Sequence, residues 1–597
     1  MQYHGIEVDL SRDELFDELG LKRLRDSYMK DGETTPQERF ALVSKTFASN
    51  PEHAQRLYDY SSKHWLSYST PILSFGKSKI GMPISCFLSY LADTAEGLVT
   101  TLSEVNNLSM LGGGVGIHLK IRSSDEKSVG VMPHLKVYDA ASLAFKQSTR
   151  RGSLAPFLDI SHPDIVQFID MRKATGDQNL RMLNLNHGVN ITDEFMEIIS
   201  RCMLDSTADD SWELKQPHTQ KVVDIVSAKE LWSRILETRA LTGEPYIWFI
   251  DTANRAVPQY QKDLGLRNNG SNICVEVDLI TSAERTAVCC LSSLNVTYYD
   301  DWKDNKDFIP DVLEMLDNVI EYFITNAPDS VSRAKFSAMR ERSVGVGVLG
   351  FHAYLQSKGI AFEGVLAKSF NNKLFKSIRQ QLDAKNLELA IARGACPDAQ
   401  QAGVMRRCTR IMNVAPNASS SLIMGNTSPS IEPYAANVYR QDTTSGSFVT
   451  KNKWLDKIIK NEAQKHNASW YDDTWADIIV HDGSVQHIDW LSENDKFVFK
   501  TAMEIDQRWI IEHAGDRQQY IDQAQSVNLF FRPDASIKYV HAVHYMAWKM
   551  GLKSLYYYRS SKARKADKVG QKIERKRIET EINLQELTEG TSCLACE

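Results

Sequence analysis

The sequence predicts an α/β fold with a core of parallel strands, and three observations predict it. Between Thr70 and about Ile160, short apolar runs alternate with glycine and serine clusters, the pattern of strands that end in loops. Ser343-Val-Gly-Val-Gly-Val-Leu-Gly350 combines small and β-branched residues, which suits a tightly packed strand buried on both faces. Val312 to Ile324 and Lys368 to Ala395 flank it with the apolar spacing of amphipathic helices. Strands separated by long helices favour parallel pairing.

The remaining elements follow in chain order. Thr35-Pro36-Gln37-Glu38 reads as an N-cap, a proline at the first helical position and a capping-box glutamate, so the section through about Tyr68 is a small helical lead-in. Arg410 to Ala415 and Ser526 to Phe531 are further candidate strands. Asp534 to Lys549 reads as a helix stopped by Gly551, and Lys553-Ser-Leu-Tyr556-Tyr557-Tyr558 as a strand. After Arg559 comes a Lys/Arg-rich stretch and then an acidic one, poor in aromatic and β-branched residues, which predicts a flexible tail. The expected organisation is therefore a helical region 1–68, a catalytic domain 69–559 and a tail 560–597.

Composition narrows the function. A chain of 597 residues with 42% apolar and 24% charged residues is that of a globular protein, with one large α/β domain and appended pieces or with two to four domains. No apolar run reaches the roughly 18 residues of a membrane helix, and Met1-Gln-Tyr-His-Gly is no signal peptide, so a cytoplasmic place is expected. A net charge of -6 argues against nucleic-acid binding, which relies on neutralising phosphates. Nine cysteines are an odd number, which fits thiols kept for chemistry better than a disulfide framework.

Two cysteine placements carry the chemistry. Cys593-Leu-Ala-Cys596 lies at the end of the tail, where a bridge closes almost no loop and gives little stability. No second CxxC completes four zinc ligands, so no metal is expected. Cys274, in contrast, sits deep in the chain in Asn272-Ile-Cys274-Val-Glu276. A dithiol on a mobile terminus that visits an interior site suits an enzyme consuming two thiols per turnover.

Taken in order, Ser85-Cys86, Asn272-x-Cys274-x-Glu276, Cys289 followed by Leu291-Ser-Ser-Leu-Asn295, the Leu555-Tyr556-Tyr557 strand and Cys593/Cys596 resemble the catalytic large subunit of ribonucleotide reductase. The resemblance spans about Thr70 to Glu597. It implies a ten-stranded α/β barrel of two parallel five-stranded halves arranged antiparallel, with the radical cysteine on a finger loop through the centre. It also implies a class I-like enzyme reducing ribonucleoside diphosphates. Only a short lead-in precedes Thr70, so a compact form without the ATP cone is expected, of the kind phages encode, working then in the host cytoplasm.

The chemistry explains why these residue types occur together. Replacing a ribose 2′-hydroxyl by hydrogen needs a radical at C3′, because hydroxide is otherwise too poor a leaving group. By resemblance Cys274 is the thiyl, Glu276 the base for the 3′-hydroxyl proton and Asn272 a ribose hydrogen-bond partner. Cys86 and Cys289 are the reducing pair, regenerated by Cys593/Cys596 and then by thioredoxin or glutaredoxin. Adjacent strand residues face opposite ways, so only one of Cys289 and Cys290 can face substrate, and the spacing to Leu291 favours Cys289.

The resemblance also assigns nucleotide sites and partners. Asn417, Ala418, Ser419 and Ser420 match the substrate-phosphate loop, with Thr70 and Ser85 adding contacts. Asp93, Arg122 and Arg151 match effector positions, Arg151 as the residue that reports the base, with dNTP or ATP as effectors. Tyr556 and Tyr557 match the radical-transfer pair that receives the radical from a small, radical-generating subunit, so no cofactor is expected in this chain. Tyr558 leaves that register open by one residue, and Lys553-x-Leu555 favours Tyr556/Tyr557. A homodimer is implied. The alternative is a cobalamin-dependent reductase, which works without a radical-generating partner.

Overall fold

The computed structural model describes residues 1–145, 152–443 and 446–560. Arg150, Arg151 and the tail with Cys593 and Cys596 lie outside the described residues.

The N-terminal region forms three helices, α1 (Glu18–Ser27), α2 (Pro36–Phe47) and α3 (Pro51–Ser62). Thr35 caps α2 by accepting from Gln37 N at 3.0 Å. The Glu38 carboxylate reaches back to Thr34 N at 3.0 Å and not to the cap residue itself, so the expected capping box is displaced by one position.

The barrel strands are β1 (Cys86–Leu91), β2 (Gly114–Leu119), β3 (Leu154–Asp159), β4 (Gly188–Ile191), β5 (Tyr246–Phe249), β6 (Ala287–Asn295), β7 (Val344–Leu349), β8 (411–414), β9 (Leu529–Phe531) and β10 (Ser554–Leu555 and Tyr558–Ser560). Strands β1 to β5 pair in parallel in chain order. So do β6 and β7, while Val346 bridges Met412, Val414 bridges Gln525, and β9 pairs with β10, all in parallel. The halves join antiparallel at β1–β6 and at β5–β10, which closes a ten-stranded ring.

Helices α4 (Ala95–Met110) and α5 (Val131–Ala144) lie between strands in a stretch whose sequence suggested only strands and loops. Its helices were masked by polar and small residues, and α5 has no side-chain cap to mark its start. The two long helices expected on either side of β7 are α6 (Phe308–Asn326) and α7 (Val365–Arg393). A short helix α8 (Ala418–Ile423) follows β8, and α9 (Ile537–Lys549) precedes β10, with Gly551 just beyond its end. Nearly every barrel-strand residue is buried, as parallel strands covered by helices on the outside require.

Two hydrophobic clusters divide at the sheet. Outside, strand residues such as Val115, Cys290 and Val346 pack on the helices. Inside, Cys86, Phe157, Tyr246, Trp248, Ile273, Cys274, Cys289, Leu291, Tyr556 and Tyr557 form a separate cluster. Residues on alternate positions of β6 therefore part company: Cys289 belongs inside, and Cys290 donates to Leu316 O of α6 at 3.5 Å outside.

Candidate active site

The loop from β5 to β6 enters the barrel, and residues 268–281 along it are buried throughout. Asn268 holds its base, donating to Asp278 Oδ1 at 3.0 Å and accepting from Trp248 Nε1 at 2.9 Å. Gly116 of β2 allows the close approach, since a Cβ there would stand 2.1 Å from Ser271 O. At the tip Asn272 Oδ1 accepts from Val277 N at 3.1 Å, and Ser271 Oγ donates to Val277 O at 2.7 Å. Between Cys274 and Glu276, Val275 adopts φ +58, a left-handed conformation that is costly for a β-branched residue, about 1–3 kcal/mol. Such strain persists only where surrounding contacts impose it.

Those contacts gather the predicted chemistry. Cys86 of β1 and Cys289 of β6 are direct partners across the antiparallel junction, which places their Cα atoms about 4.5–5.5 Å apart, within reach of a disulfide. Asn272 Nδ2 donates to Cys86 Sγ at 3.2 Å, and Cys86 Sγ lies 3.6 Å from Glu276 Oε1. Ser526 Oγ donates to Cys274 O at 2.5 Å and stands 3.3 Å from Glu276 Oε2. Asn413 Nδ2 and Gln523 Nε2 approach Cys289 Sγ at 3.7 and 3.8 Å. Burial pushes the Cys289 thiol well above its ordinary range, with the neighbouring Cys290 and Cys86 adding to it, so Cys289 is held as a neutral S–H.

The tyrosines adjoin this group. Tyr556 OH donates to Cys274 Sγ at 3.5 Å. The Tyr556 and Tyr557 rings are 4.3 Å apart, and Tyr246 of β5 lies 4.8 and 5.1 Å from them. Tyr558 faces the other way, stacking on Phe531 at 4.7 Å, so the inward pair is Tyr556/Tyr557. Burial raises the Tyr557 and Tyr246 phenols, and the buried Glu244 charge raises them further. Glu244 itself would be raised by burial, but the charges of Arg172 and His187 and the bonds from His187 hold it low. Asn186 Nδ2 joins this carboxylate to the phenols, lying 2.7 Å from Glu244 Oε1, 2.7 Å from Tyr246 OH and 2.9 Å from Tyr557 OH.

The predicted phosphate loop runs from β8 into α8. Asn417 takes φ +57 and accepts from Ser293 Oγ of β6 at 3.1 Å, while Ser419 and Ser420 are buried. Thr70 is buried with its hydroxyl 3.2 Å from Tyr28 OH, and the buried Ser85 hydroxyl has no partner among the described residues. At the ends of β1 and β2, Arg122 Nη1 lies 3.3 Å from Asp93 Oδ2, bringing two of the three predicted effector residues together. The His218 ring stands 3.8 Å from the same carboxylate. Elsewhere Asp477, His481 and His487 form an exposed trio whose donor atoms lie within 4.8 Å of one another, a grouping that no motif in the sequence marks.

Comparison with known proteins decides the family. The family model for the ribonucleotide reductase barrel domain matches residues 84–407 and 399–558, and that for the ribonucleotide reductase all-alpha domain matches residues 14–81. The chain belongs to the ribonucleotide reductase large-subunit family. It is 50% identical over 613 residues to a ribonucleoside-diphosphate reductase large subunit of Invertebrate iridescent virus 3, covering 94% of this chain and 97% of that one. It is 43% identical over 557 residues to a putative ribonucleoside-diphosphate reductase large subunit of Frog virus 3, covering 92% and 94%. The solved class Id ribonucleotide reductase alpha subunit of Actinobacillus ureae superposes with a TM-score of 0.79 at 32% identity, over 92% of this chain and 97% of the other.

Within this ribonucleotide reductase barrel, several side chains around the cysteines escaped the sequence reading: Tyr246, Asn186, Glu244, Asn413, Gln523 and Ser526. None sits in a spaced motif. Only their convergence, from β5, β8 and the segments that lead into β4, β5 and β9, marks them, and that convergence is a property of the closed ring. Among the described residues no helix is long and apolar enough to cross a membrane.

Proposed function

We propose that this chain reduces ribonucleoside diphosphates to deoxyribonucleoside diphosphates as the large subunit of a class I-like enzyme, receiving its radical from a small subunit. The observation that carries the reading is the file of oxidisable side chains ending on a buried thiol, with Tyr556 OH 3.5 Å from Cys274 Sγ and the tilted Tyr557 ring 4.3 Å behind that of Tyr556. Phenols held neutral by burial must lose a proton with each electron, so the file suits proton-coupled transfer.

In this mechanism the Cys274 thiyl takes the C3′ hydrogen and Glu276 takes the 3′-hydroxyl proton. The 2′-hydroxyl leaves as water. Cys86 and Cys289 deliver two electrons and two protons in total, ending as a disulfide, and Cys274 returns a hydrogen to C3′. Asn272 orients the ribose and the Cys86 thiol. Cys593 and Cys596 then reduce the disulfide by exchange and are themselves reduced by thioredoxin or glutaredoxin. Asn417, Ala418, Ser419 and Ser420 receive the diphosphate with Thr70 and Ser85 beside them. Asp93, Arg122 and Arg151 bind a dNTP or ATP effector in a homodimer.

The test is deoxynucleotide formation from the four diphosphates, with and without a candidate radical-generating subunit. Turnover that requires that subunit supports the reading. Turnover on adenosylcobalamin alone replaces it with the cobalamin-dependent alternative. Effector assignment is read separately, from dNTP-induced dimerisation and a changed base preference.

A further inference from the structure

The phosphate loop Pro416-Asn-Ala-Ser-Ser-Ser421 carries no charged side chain, although a nucleoside diphosphate bears roughly three negative charges near neutral pH. The N-terminal helix α1 places a cation there. It crosses α8 at backbone contact: a Cβ on Gly20 would stand 2.5 Å from Leu422 O, so only glycine admits the approach. One turn further along α1 and one turn back along α8 the same faces meet again, and Arg23 Nη2 donates to Ser419 Oγ at 3.0 Å. Tyr28, just past the end of α1, holds the Thr70 hydroxyl at 3.2 Å. Helix α1 and the residue that follows it thus touch both predicted substrate elements, the loop and Thr70.

Arg23 differs from the other part-buried or buried arginines of the N-terminal region in what it lacks. Arg12 pairs with Asp59 at 2.9 Å, Arg56 with Asp311 at 2.7 Å, and Arg39 with Glu33. Arg23 is half-buried, forms no ion pair among the described residues, and its Nε is buried without a hydrogen-bond partner. A buried guanidinium N–H without an acceptor is costly unless a ligand atom arrives to take it. Its planar fork matches phosphate oxygens through two parallel donors, which a serine hydroxyl cannot do.

We propose that Arg23 is a substrate-binding residue that takes the substrate diphosphate beside Ser419, so that the N-terminal helical region completes the substrate site. The inference rests on the reading of the loop as the diphosphate site. Because the contact is to phosphate and not to the base, its loss weakens all four substrates alike.

The experiment compares Arg23→Gln and Arg23→Met, the second keeping the apolar stem, with the unaltered chain in complex with its radical-generating subunit. KM for each of the four diphosphates is expected to rise about 10- to 100-fold, the range for a charge-assisted hydrogen bond to a buried partner. Competitive inhibition by inorganic pyrophosphate should weaken by the same factor, and KM should move more than kcat. A brace between α1 and α8 that never met phosphate would lower the melting temperature and leave the pyrophosphate constant in place. An unchanged pyrophosphate constant in whichever variant folds overturns the inference. Failure of the parent reading looks different: the unaltered enzyme then forms no deoxynucleotide and pyrophosphate does not compete.

Discussion

Lys553 Nζ lies 2.7 Å from Asp278 Oδ2, and both side chains are buried. This ion pair ties the start of the tyrosine strand β10 to the base of the loop that carries Cys274. The same ammonium donates to Asp522 O at 2.8 Å, and Asp278 also receives Asn268 at 3.0 Å, so both partners have hydrogen bonds beyond the ion pair itself. Burial lowers the Lys553 pKa, against the opposing pull of Asp278. The Tyr556–Cys274 separation is therefore set from two sides, by strand pairing and by this clamp. Lys553→Met should leave a buried carboxylate with only the Arg410 guanidinium, 3.6 Å away, as counter-charge. The expected cost is about 3 kcal/mol, the lower end for breaking a buried pair. Denaturant unfolding checks the stability, and turnover below the melting point should fall by a larger factor than the folded fraction does.

Radical transfer predicts a sharper separation between structure and turnover. Tyr557→Phe removes one phenol and its 2.9 Å bond with Asn186 while keeping the ring, so stability should drop by only about 1 kcal/mol. Turnover should vanish, because a phenylalanine cannot be oxidised at that point of the file. Cys274→Ser should likewise abolish deoxynucleotide formation while leaving effector binding intact. Measurable product from either variant would remove that residue from the path.

Gly116 offers a steric test of the finger loop. In Gly116→Ala the new methyl would meet Ser271 O at 2.1 Å, and a backbone carbonyl cannot swing aside as a side chain can. The loop must shift, and a shift of about 1 Å can cost a hundredfold in rate. The variant should fold, because β2 pairs with β1 and β3 irrespective of the methyl, and lose most activity. Wild-type turnover would mean that the loop position is not critical.

How much of this was legible in the sequence depends on the kind of signal. Cys86, Cys274, Glu276 and Cys289 stood in short, ordered motifs, and the structure brings all four within one cluster. The parallel core was legible from strand β7 and its flanking helices, because burial on both faces leaves a small, β-branched composition in the strand while the helices keep an amphipathic period. Helices α4 and α5 were not, since small and polar residues such as those of Ala95–Met110 weaken the apolar stripe. Tyr246, Asn186 and Glu244 were silent for another reason. A buried polar network is built from partners on different strands, and nothing local in the sequence says which strands will be neighbours.

The tail prediction needs no geometry of the tail itself. Cys86 and Cys289 are buried inside the barrel, where an external dithiol protein cannot reach them. Cys593→Ser with Cys596→Ser should allow one turnover from pre-reduced enzyme and then stop when thioredoxin or glutaredoxin is the reductant. Rapid-quench counting of product per active site reads the difference. Sustained cycling by the double variant would show that another route reduces the interior disulfide.

Glu341 gives a pH dependence with a definite sign. Its carboxyl is buried at the end of the helix before β7, accepting from Ser337 Oγ at 3.1 Å and Gln261 Nε2 at 3.3 Å. Burial pushes its pKa from 4.5 up to about 7, with the nearby Asp398 charge adding to the rise and Arg285 opposing it. The folded state therefore holds this proton more tightly than the unfolded chain does. The resulting stabilisation is complete below about 4.5, declines as pH rises, and is gone above about 7. Across that window the group should contribute a loss on the order of 3 kcal/mol, because each tenfold difference in proton affinity is worth about 1.4 kcal/mol. Glu341→Gln keeps the shape and removes the titration, so the variant should gain on the unaltered protein as pH rises from about 5 to about 8. Denaturant unfolding of both proteins at the two pH values measures it. A stability difference that does not change between them would mean that Glu341 is as easily ionised in the fold as in water.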